Sequence, residues 1–189
     1  MEKILLVSRK GKSKDMLLQL LEMGVSSQIT TSYSDAEARS LIEKTEFDLV
    51  IINSPLEDKS GTDLAVFVTE HSMAGVLMAV QNKYADAVSQ KVEPYGVLVV
   101  GKPIVRAFFN QAVKFADVTR LRFMTLKEEN ISLQNKIEEL KLISRAKCVL
   151  IEYLAMTESQ AHKYIEKQSM DLRISKFRVA KRILKAYEQ

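Results

Sequence analysis

Between residues 163 and 185 the chain carries eight Lys or Arg side chains against two Asp or Glu. Ammonium and guanidinium groups at that density neutralise phosphates, and a guanidinium can also stack on a base or hydrogen-bond its edge. The segment is therefore equipped to recognise a polyanion rather than to make or break bonds. No carboxylate pair, glycine-rich phosphate loop, or Cys–His or Ser–His arrangement stands out elsewhere. His71 and His162 have no partners at ligand spacing, so no enzyme, metal site or cofactor is expected. The single cysteine, Cys148, cannot form a disulfide within the chain. It reads as a small buried hydrophobe, and a reducing compartment suits it.

These cations need helices to present them. Ile143, Ala146, Val149, Leu150, Tyr153 and Leu154 repeat at helical spacing, and the pattern stops near Ala155 and Met156. Thr157-Glu158-Ser159-Gln160 has the form of a capping box and opens a second helix, with Ala161, Tyr164, Ile165 and Gln168 on its inner or semi-buried face. A break is expected near Met170-Asp171-Leu172. Ser175 is placed to cap a third helix, whose core stripe reads Phe177, Ala180, Ile183, Leu184 and Tyr187. Three apolar stripes can close one small core. Lys163 and Lys167, four apart, share a face of the second helix. Arg173 falls in the break. Lys176, Arg178, Lys181, Arg182 and Lys185 belong to the third helix, with Arg178, Lys181, Arg182 and Lys185 largely opposite its core stripe, and Lys147 stands apart from the apolar face of the first. Tyr153, Tyr164, Phe177 and Tyr187 read as core aromatics.

No Gly or Pro follows Pro103, so a helix from the preceding region can run into this module. A heptad is legible from Phe123, with Phe123, Asn130, Ile137 and Ser144 at a positions and Leu126, Leu133 and Leu140 at d positions. Leucine at every d with an asparagine at one a is the pattern of a parallel two-stranded coiled coil, so a homodimer seam is expected over Phe123, Leu126, Asn130, Leu133, Ile137 and Leu140. The flanking pairs Arg122–Lys127 and Lys136–Lys141 are of like charge and oppose it modestly. The other reading of this stripe is a helix packed on the chain's own N-terminal domain.

Residues 1–115 hold 13 basic and 14 acidic side chains. Short apolar runs alternate there with amphipathic stretches. Strands are expected at Ile4–Val7, weakly at Gln28–Thr31, and at Phe47–Ile52, Val76–Val80 and Val97–Val100. Helices are expected over 13–23, from Ser34 (with Glu37 as capping-box partner), and over 60–70, 83–92 and about 104–115. Near-continuous apolar strands separated by helices signal a parallel sheet covered on both faces, here a flavodoxin-like α/β domain of five parallel strands with its site at their carboxyl ends. Apolar residues make up 47% of the 189-residue chain, enough for a substantial core, and no apolar run approaches 18 residues. Because the N-terminus begins directly with a strand-like run, a cytoplasmic location without membrane attachment is expected.

Residues 1–115 resemble the response-regulator receiver domain, through Gly61 after the third strand and Lys102-Pro103 after the fifth. At the places where a receiver carries its metal-binding acids, this chain has Ser8 and Arg9. Asn53 replaces the aspartate nucleophile, and Val80 the hydroxyl that ends the fourth strand. Phosphoryl transfer to a carboxylate needs an anionic oxygen and a cation to neutralise incoming charge, and an amide beside an arginine supplies neither. The resemblance with these substitutions implies a pseudo-receiver with a degenerate phosphorylation site at Ser8, Arg9, Asn53, Val80 and Lys102. Asp58, five residues beyond Asn53, reads as a loop acid.

Residues 140–187 resemble the ANTAR domain, the RNA-binding module of transcription antitermination regulators. The matching residues are Ile143, Ala146-Lys147, Leu150, Ser159, Ala161, Ile165, Gln168, Met170-Asp171, Ala180 and Ile183. Cys148 stands where a glycine usually follows the Ala-Lys pair, and Leu140 stands where a basic residue is common. The resemblance implies binding to paired short RNA hairpins in a nascent leader transcript, which blocks a terminator. The expected RNA contacts are Lys147, Lys163, Lys167, Gln168, Arg173, Lys176, Arg178, Lys181 and Arg182. The expected division is a pseudo-receiver over 1–116, a coiled-coil linker over 117–142 and an ANTAR three-helix domain over 143–189. A DNA-binding transcription factor and a protein-interaction adaptor are the alternatives. With phosphorylation lost, control would fall to a regulatory protein partner, a ligand or expression level.

Overall fold

The structure is a computed structural model that describes residues 1–23 and 27–187. It contains strands β1 (Lys3–Ser8), β2 (Gln28–Ser32), β3 (Leu49–Asn53), β4 (Gly75–Gln81) and β5 (Leu98–Lys102). Its helices are α1 (Lys12–Glu22), α2 (Asp35–Lys44), α3 (Thr62–His71), α4 (Asn82–Val92), α5 (Arg106–Leu154), α6 (Glu158–Leu172) and α7 (Lys176–Tyr187). The chain divides into two compact units, Met1–Thr125 and Leu126–Gln189.

In the first unit five parallel strands lie in the order β2-β1-β3-β4-β5. Side chains alternate across a strand, so each run of apolar residues feeds two cores. Leu5, Val7, Val50, Ile52, Val76, Met78 and Val80 face one way and pack with Ala38 and Ile42 of α2, Leu64, Ala65 and Val68 of α3, and Val92 of α4. Ile4, Leu6, Leu49, Ile51 and Leu77 face the other way, against Leu17 and Leu21 of α1 and Phe109, Val113 and Ala116 of α5. This two-sided burial is why β1 and β3 read as unbroken apolar runs rather than alternating ones. Two glycines permit close approach. Gly61 caps α3 at φ +87°, and a Cβ there would lie 2.7 Å from Ile52 Cγ2; a Cβ on Gly75 would lie 3.0 Å from the Ala116 carbonyl oxygen.

Sequence and structure agree on every strand and helix of this unit to within a few residues at the ends. The last helix, α5, does run on past 115 as the absence of Gly and Pro after Pro103 allows, and continues unbroken for 49 residues, because nothing there removes a donor or loosens the backbone. Among the described residues no helix is long and apolar enough to cross a membrane.

The second unit is a three-helix bundle made by the C-terminal part of α5 with α6 and α7. Its core is Ala146, Val149 and Leu150 from α5, Ala161 and Ile165 from α6, and Val179, Ala180, Ile183 and Leu184 from α7. The Thr157 hydroxyl accepts from the Gln160 N–H, and the Gln160 side chain accepts in turn from the Thr157 N–H, so α6 opens on a complete capping box. Arg173 closes α6 in a left-handed conformation at φ +51°, and the Ser175 hydroxyl accepts from Arg178 N–H at the start of α7.

Three expectations are corrected here. The α7 stripe is rotated so that Val179 is buried, while Phe177 is only half-buried beneath the Lys181 side chain and Tyr187 is exposed. Positions 177 and 187 lie on the margins of a stripe centred on 179, 180 and 183, and periodicity alone does not fix that centre to within one residue. Tyr153 and Leu154, in the last turn of α5, are exposed, and Tyr153 stacks obliquely on Tyr187 with ring centres 5.4 Å apart. Cys148 is exposed rather than buried, being flanked on the helix by the inward-facing Ala146 and Val149 but pointing away from them.

Candidate functional site

Successive helical residues turn by about 100°, so in α6 Lys163 and Lys167 project opposite the buried Ala161 and Ile165. In α7, Arg178, Lys181, Arg182 and Lys185 project opposite Val179, Ala180 and Ile183 in the same way. All six of these cations are exposed. Lys181 Nζ lies 4.5 Å from the Phe177 ring centre, which places a cation over an aromatic face on the solvent side. Arg173 is exposed at the α6 terminus, where the left-handed backbone turns the chain toward α7. Gln168 is half-buried.

Two expected RNA contacts are engaged within the bundle. Lys147 Nζ sits 2.5 Å from Glu158 Oε1, and Lys176 pairs with Glu166, which also faces His162 Nε2 at 3.4 Å. Hydrogen bonds from these lysines, reinforced by their charge, hold the Glu158 and Glu166 carboxyls below the ordinary glutamate value. Among the described residues no ion pair involves Lys163, Lys167, Arg173, Arg178, Lys181 or Arg182. The sequence pattern did not expose this division, because each pairing is made across a turn between two helices.

A second group of residues converges at the carboxyl end of the sheet. Ser8 ends β1 and Asn53 ends β3, and the two are register partners. Asn53 is buried, and its Nδ2 donates to Ser8 Oγ at 2.7 Å and to Ser13 Oγ, in the first turn of α1, at 3.0 Å. Its Oδ1 is buried without a partner. Val80 is buried in β4 opposite Gly101 and offers only methyl groups. Lys102 Nζ donates to the Ser54 carbonyl at 2.6 Å. Burial, and then the charge of Arg9, push the Lys102 ammonium below the ordinary lysine value. Arg9 itself is exposed. Asp58 is not part of this group: both of its carboxylate oxygens accept from Asp35 N–H at 3.1 Å, at the start of α2. Ser13 was absent from the sequence expectation, since only the fold brings the first turn of α1 against Asn53.

Along α5 the expected seam stands free in the single chain. Phe123, Leu126, Leu133, Ile137 and Leu140 are each more than half exposed, and Asn130 is exposed among them. Among the described residues no group of three or more His, Cys, Asp or Glu is placed to hold a metal ion.

The model of the ANTAR domain matches residues 132–184, the segment that builds the small bundle and its stem. Transcriptional regulatory protein PdtaR of Mycobacterium tuberculosis is 30% identical over 149 residues, spanning 78% of this chain and 72% of the relative. The chain belongs to the ANTAR-domain response regulators. The receiver half of this ANTAR protein has the expected structural kin. A response-regulator receiver domain from Clostridium thermocellum superposes with TM-score 0.57 at 19% identity, covering 65% of this chain and all but 1% of its own, since 99% is matched. A signal receiver domain of an HD domain-containing protein from Pseudomonas fluorescens Pf-5 superposes with TM-score 0.59 at 19% identity, covering 66% of this chain and 92% of the other. At that identity the likeness concerns the fold alone. The ANTAR regulator thus joins a receiver-type α/β unit to a three-helix ANTAR module through one continuous helix.

Proposed function

We propose that this ANTAR-domain regulator binds paired hairpins in leader transcripts and thereby suppresses termination, and that it does so as a non-enzymatic homodimer in the cytoplasm. The observation that carries this reading is the outward row Arg178, Lys181, Arg182 and Lys185 on α7, joined by Lys163 and Lys167 on α6 and by Arg173 between the helices. These cations are not neutralised within the bundle and are free to meet phosphates. Arginine planes and the half-buried Phe177 suit unstacked loop bases. Lys147 and Lys176 shape the bundle through their glutamates and contribute less to RNA affinity. The exposed stripe on α5 supplies the dimer seam, so that two ANTAR modules meet two hairpins. The domain division that fits is a pseudo-receiver over 1–116, a linker helix over 117–142 and the ANTAR domain over 143–189. An amide at 53, without acids at 8 and 9, argues against phosphoryl acceptance, and regulation passes to a protein partner or a ligand.

The test is a gel-shift titration of the full chain with a two-hairpin RNA and with duplex DNA of equal charge. Binding should favour the RNA and weaken steeply with salt. Arg178→Glu with Lys181→Glu should lower RNA affinity by about tenfold or more and flatten the salt dependence by about one unit of slope per cation removed. Circular dichroism should be unchanged. Equal affinity for the DNA would favour a DNA-binding factor, and unchanged RNA affinity in the variant would favour an adaptor.

A further inference from the structure

Helix α5 follows β5 and folds back along the sheet, with Phe109, Val113 and Ala116 in the core beneath it. At Ala116 it has reached the start of β4, since a Cβ on Gly75 would meet the Ala116 carbonyl oxygen. The next two turns carry on past that point, because nothing in the sequence ends the helix there. They form one wall of a cavity of about 480 Å³ that lies wholly within the first unit. Its floor is the amino end of β4 and β5, where Ala74, Gly75 and Gly96 contribute almost no side chain. Phe115, Thr119 and Phe123 line it from α5, and Tyr95 lines it from the 3₁₀ turn Glu93–Tyr95. A cleft of this volume, mostly apolar with a few convergent polar groups, suits a small molecule.

The chemistry of the lining selects the occupant. Among the described residues two charged side chains, Arg120 and Glu93, line the cavity. Both are engaged: Arg120 pairs with Asp48 at 2.9 Å and donates to Met124 Sδ at 3.2 Å, and Glu93 accepts from the Ser89 hydroxyl. An ionic ligand would therefore lose its hydration without gaining a counter-charge. The polar groups left over are hydroxyls. Thr125 on α5 donates to the Leu121 carbonyl, and Thr69 on α3 donates to the Val66 carbonyl, as helical threonines commonly do. Thr119 makes no such bond, and neither its hydroxyl nor that of Tyr95 has a hydrogen-bond partner among the described residues. Each can give one hydrogen bond and accept another. Tyr95, Phe115 and Phe123 are between 47% and 60% exposed, so their rings remain available to a planar apolar surface.

We infer that this cavity binds a small uncharged aromatic molecule bearing at least one hydrogen-bonding group. Its ring system packs on Tyr95, Phe115 and Phe123, and its polar group meets the Thr119 hydroxyl. Binding is non-covalent, and no bond is made or broken. The site lies at the end of the sheet opposite Asn53 and is separate from the RNA reading, which rests on α6 and α7.

The experiment is an NMR titration of the full-length protein with indole, a neutral ring with one N–H. It is run beside indole-3-acetate and tryptamine, which add a negative or a positive charge to the same ring. Saturable shifts of the Gly75, Gly96 and Thr119 amides are expected with indole, and both charged analogues should bind about tenfold more weakly. Phe115→Ala, at an exposed position, should weaken indole binding about tenfold. Thr119→Val keeps the shape, removes the hydroxyl and should weaken it about threefold. Tyr153→Ala, which removes an exposed aromatic of the small bundle, should leave it unchanged. No saturable response, a response that ignores both Phe115→Ala and Thr119→Val, or equal or tighter binding of a charged analogue would overturn the inference. So would movement of these amides on dilution of the protein but not with indole, which would show the cleft to be covered by a second copy. The gel shift is run without indole, so a failure of RNA binding and a failure of this site are read separately.

Discussion

Asn53 Nδ2 lies 2.7 Å from Ser8 Oγ, on a neighbouring strand at the same level of the register. A neutral amide and a hydroxyl thus meet at the ends of β1 and β3, at the places where the receiver resemblance implies a metal-binding acid and the aspartate nucleophile. Incubation with a small phosphodonor and Mg²⁺ should give no acid-stable or hydroxylamine-sensitive phosphoprotein by intact mass. Asn53→Asp alone should also fail, because Ser8 and Arg9 still provide no metal ligand. A stoichiometric adduct on the unmodified chain would reverse the pseudo-receiver reading.

The stem offers a sharper contrast. In the single chain Leu133 and Ile137 are 58% and 52% exposed, apolar surface that a coiled-coil partner would cover. Sedimentation velocity should find a dimer. Leu133→Lys combined with Ile137→Lys should give a monomer with helical content still high in the ANTAR bundle. A wild-type monomer at high micromolar concentration would remove the proposed seam.

Part of the acid sensitivity of the first unit should be traceable to Asp48. The Asp48 carboxylate accepts from the Glu2 and Lys3 backbone N–H groups and pairs with Arg120 at 2.9 Å, fastening the amino end of the sheet to α5. Burial by itself would raise this carboxyl, but the two N–H groups and then Arg120 outweigh it and leave it below its ordinary value of 3.8. Because the folded-state value is depressed, the interaction stabilises fully above the unfolded-state value and fades as pH falls through the folded one. Asp48→Asn should therefore cost about 1–2 kcal/mol at pH 7, in line with a charged hydrogen bond. In urea melts the difference should shrink as the pH is taken below 3.8. An equal cost at both ends of the pH range would assign the effect to shape rather than charge.

Two backbone positions should respond with opposite signs. At Gly61 a methyl group would lie 2.7 Å from Ile52 Cγ2 on a φ of +87°, so Gly61→Ala should destabilise by about 1–3 kcal/mol. Ala155 adopts φ +48° between α5 and α6, so Ala155→Gly should be neutral or stabilise by up to about 1 kcal/mol. Thermal melts of both variants test the pair.

Much of this arrangement was legible in the residues. The two-sided burial of β1 and β3 follows from their unbroken apolar runs. The start of α6 follows from Thr157 and Gln160, and the outward cations of α7 follow from the spacing of Ala180 and Ile183. What could not be read required tertiary neighbours. Lys147 looks as free as Lys181 until α6 folds back and places Glu158 beside it. Ser13 looks like an ordinary first-turn serine until the sheet brings Asn53 against it. Phe177 and Val179 are both plausible core residues on a twelve-residue helix, and only the packing of α7 on its neighbours decides for the smaller one.

The connections between α5, α6 and α7 are residues 155–157 and 173–175, three residues each. The pairings of α5 with α6 and of α6 with α7 are therefore made between segments adjacent in the chain. In the sheet, by contrast, Ile4 must find Leu49 before β1 has both its neighbours. Chain segments that close nearby loops meet sooner than those that must search over long separations. The small bundle is thus the quicker to assemble, and in stopped-flow refolding the helical signal should recover before the signal of the sheet.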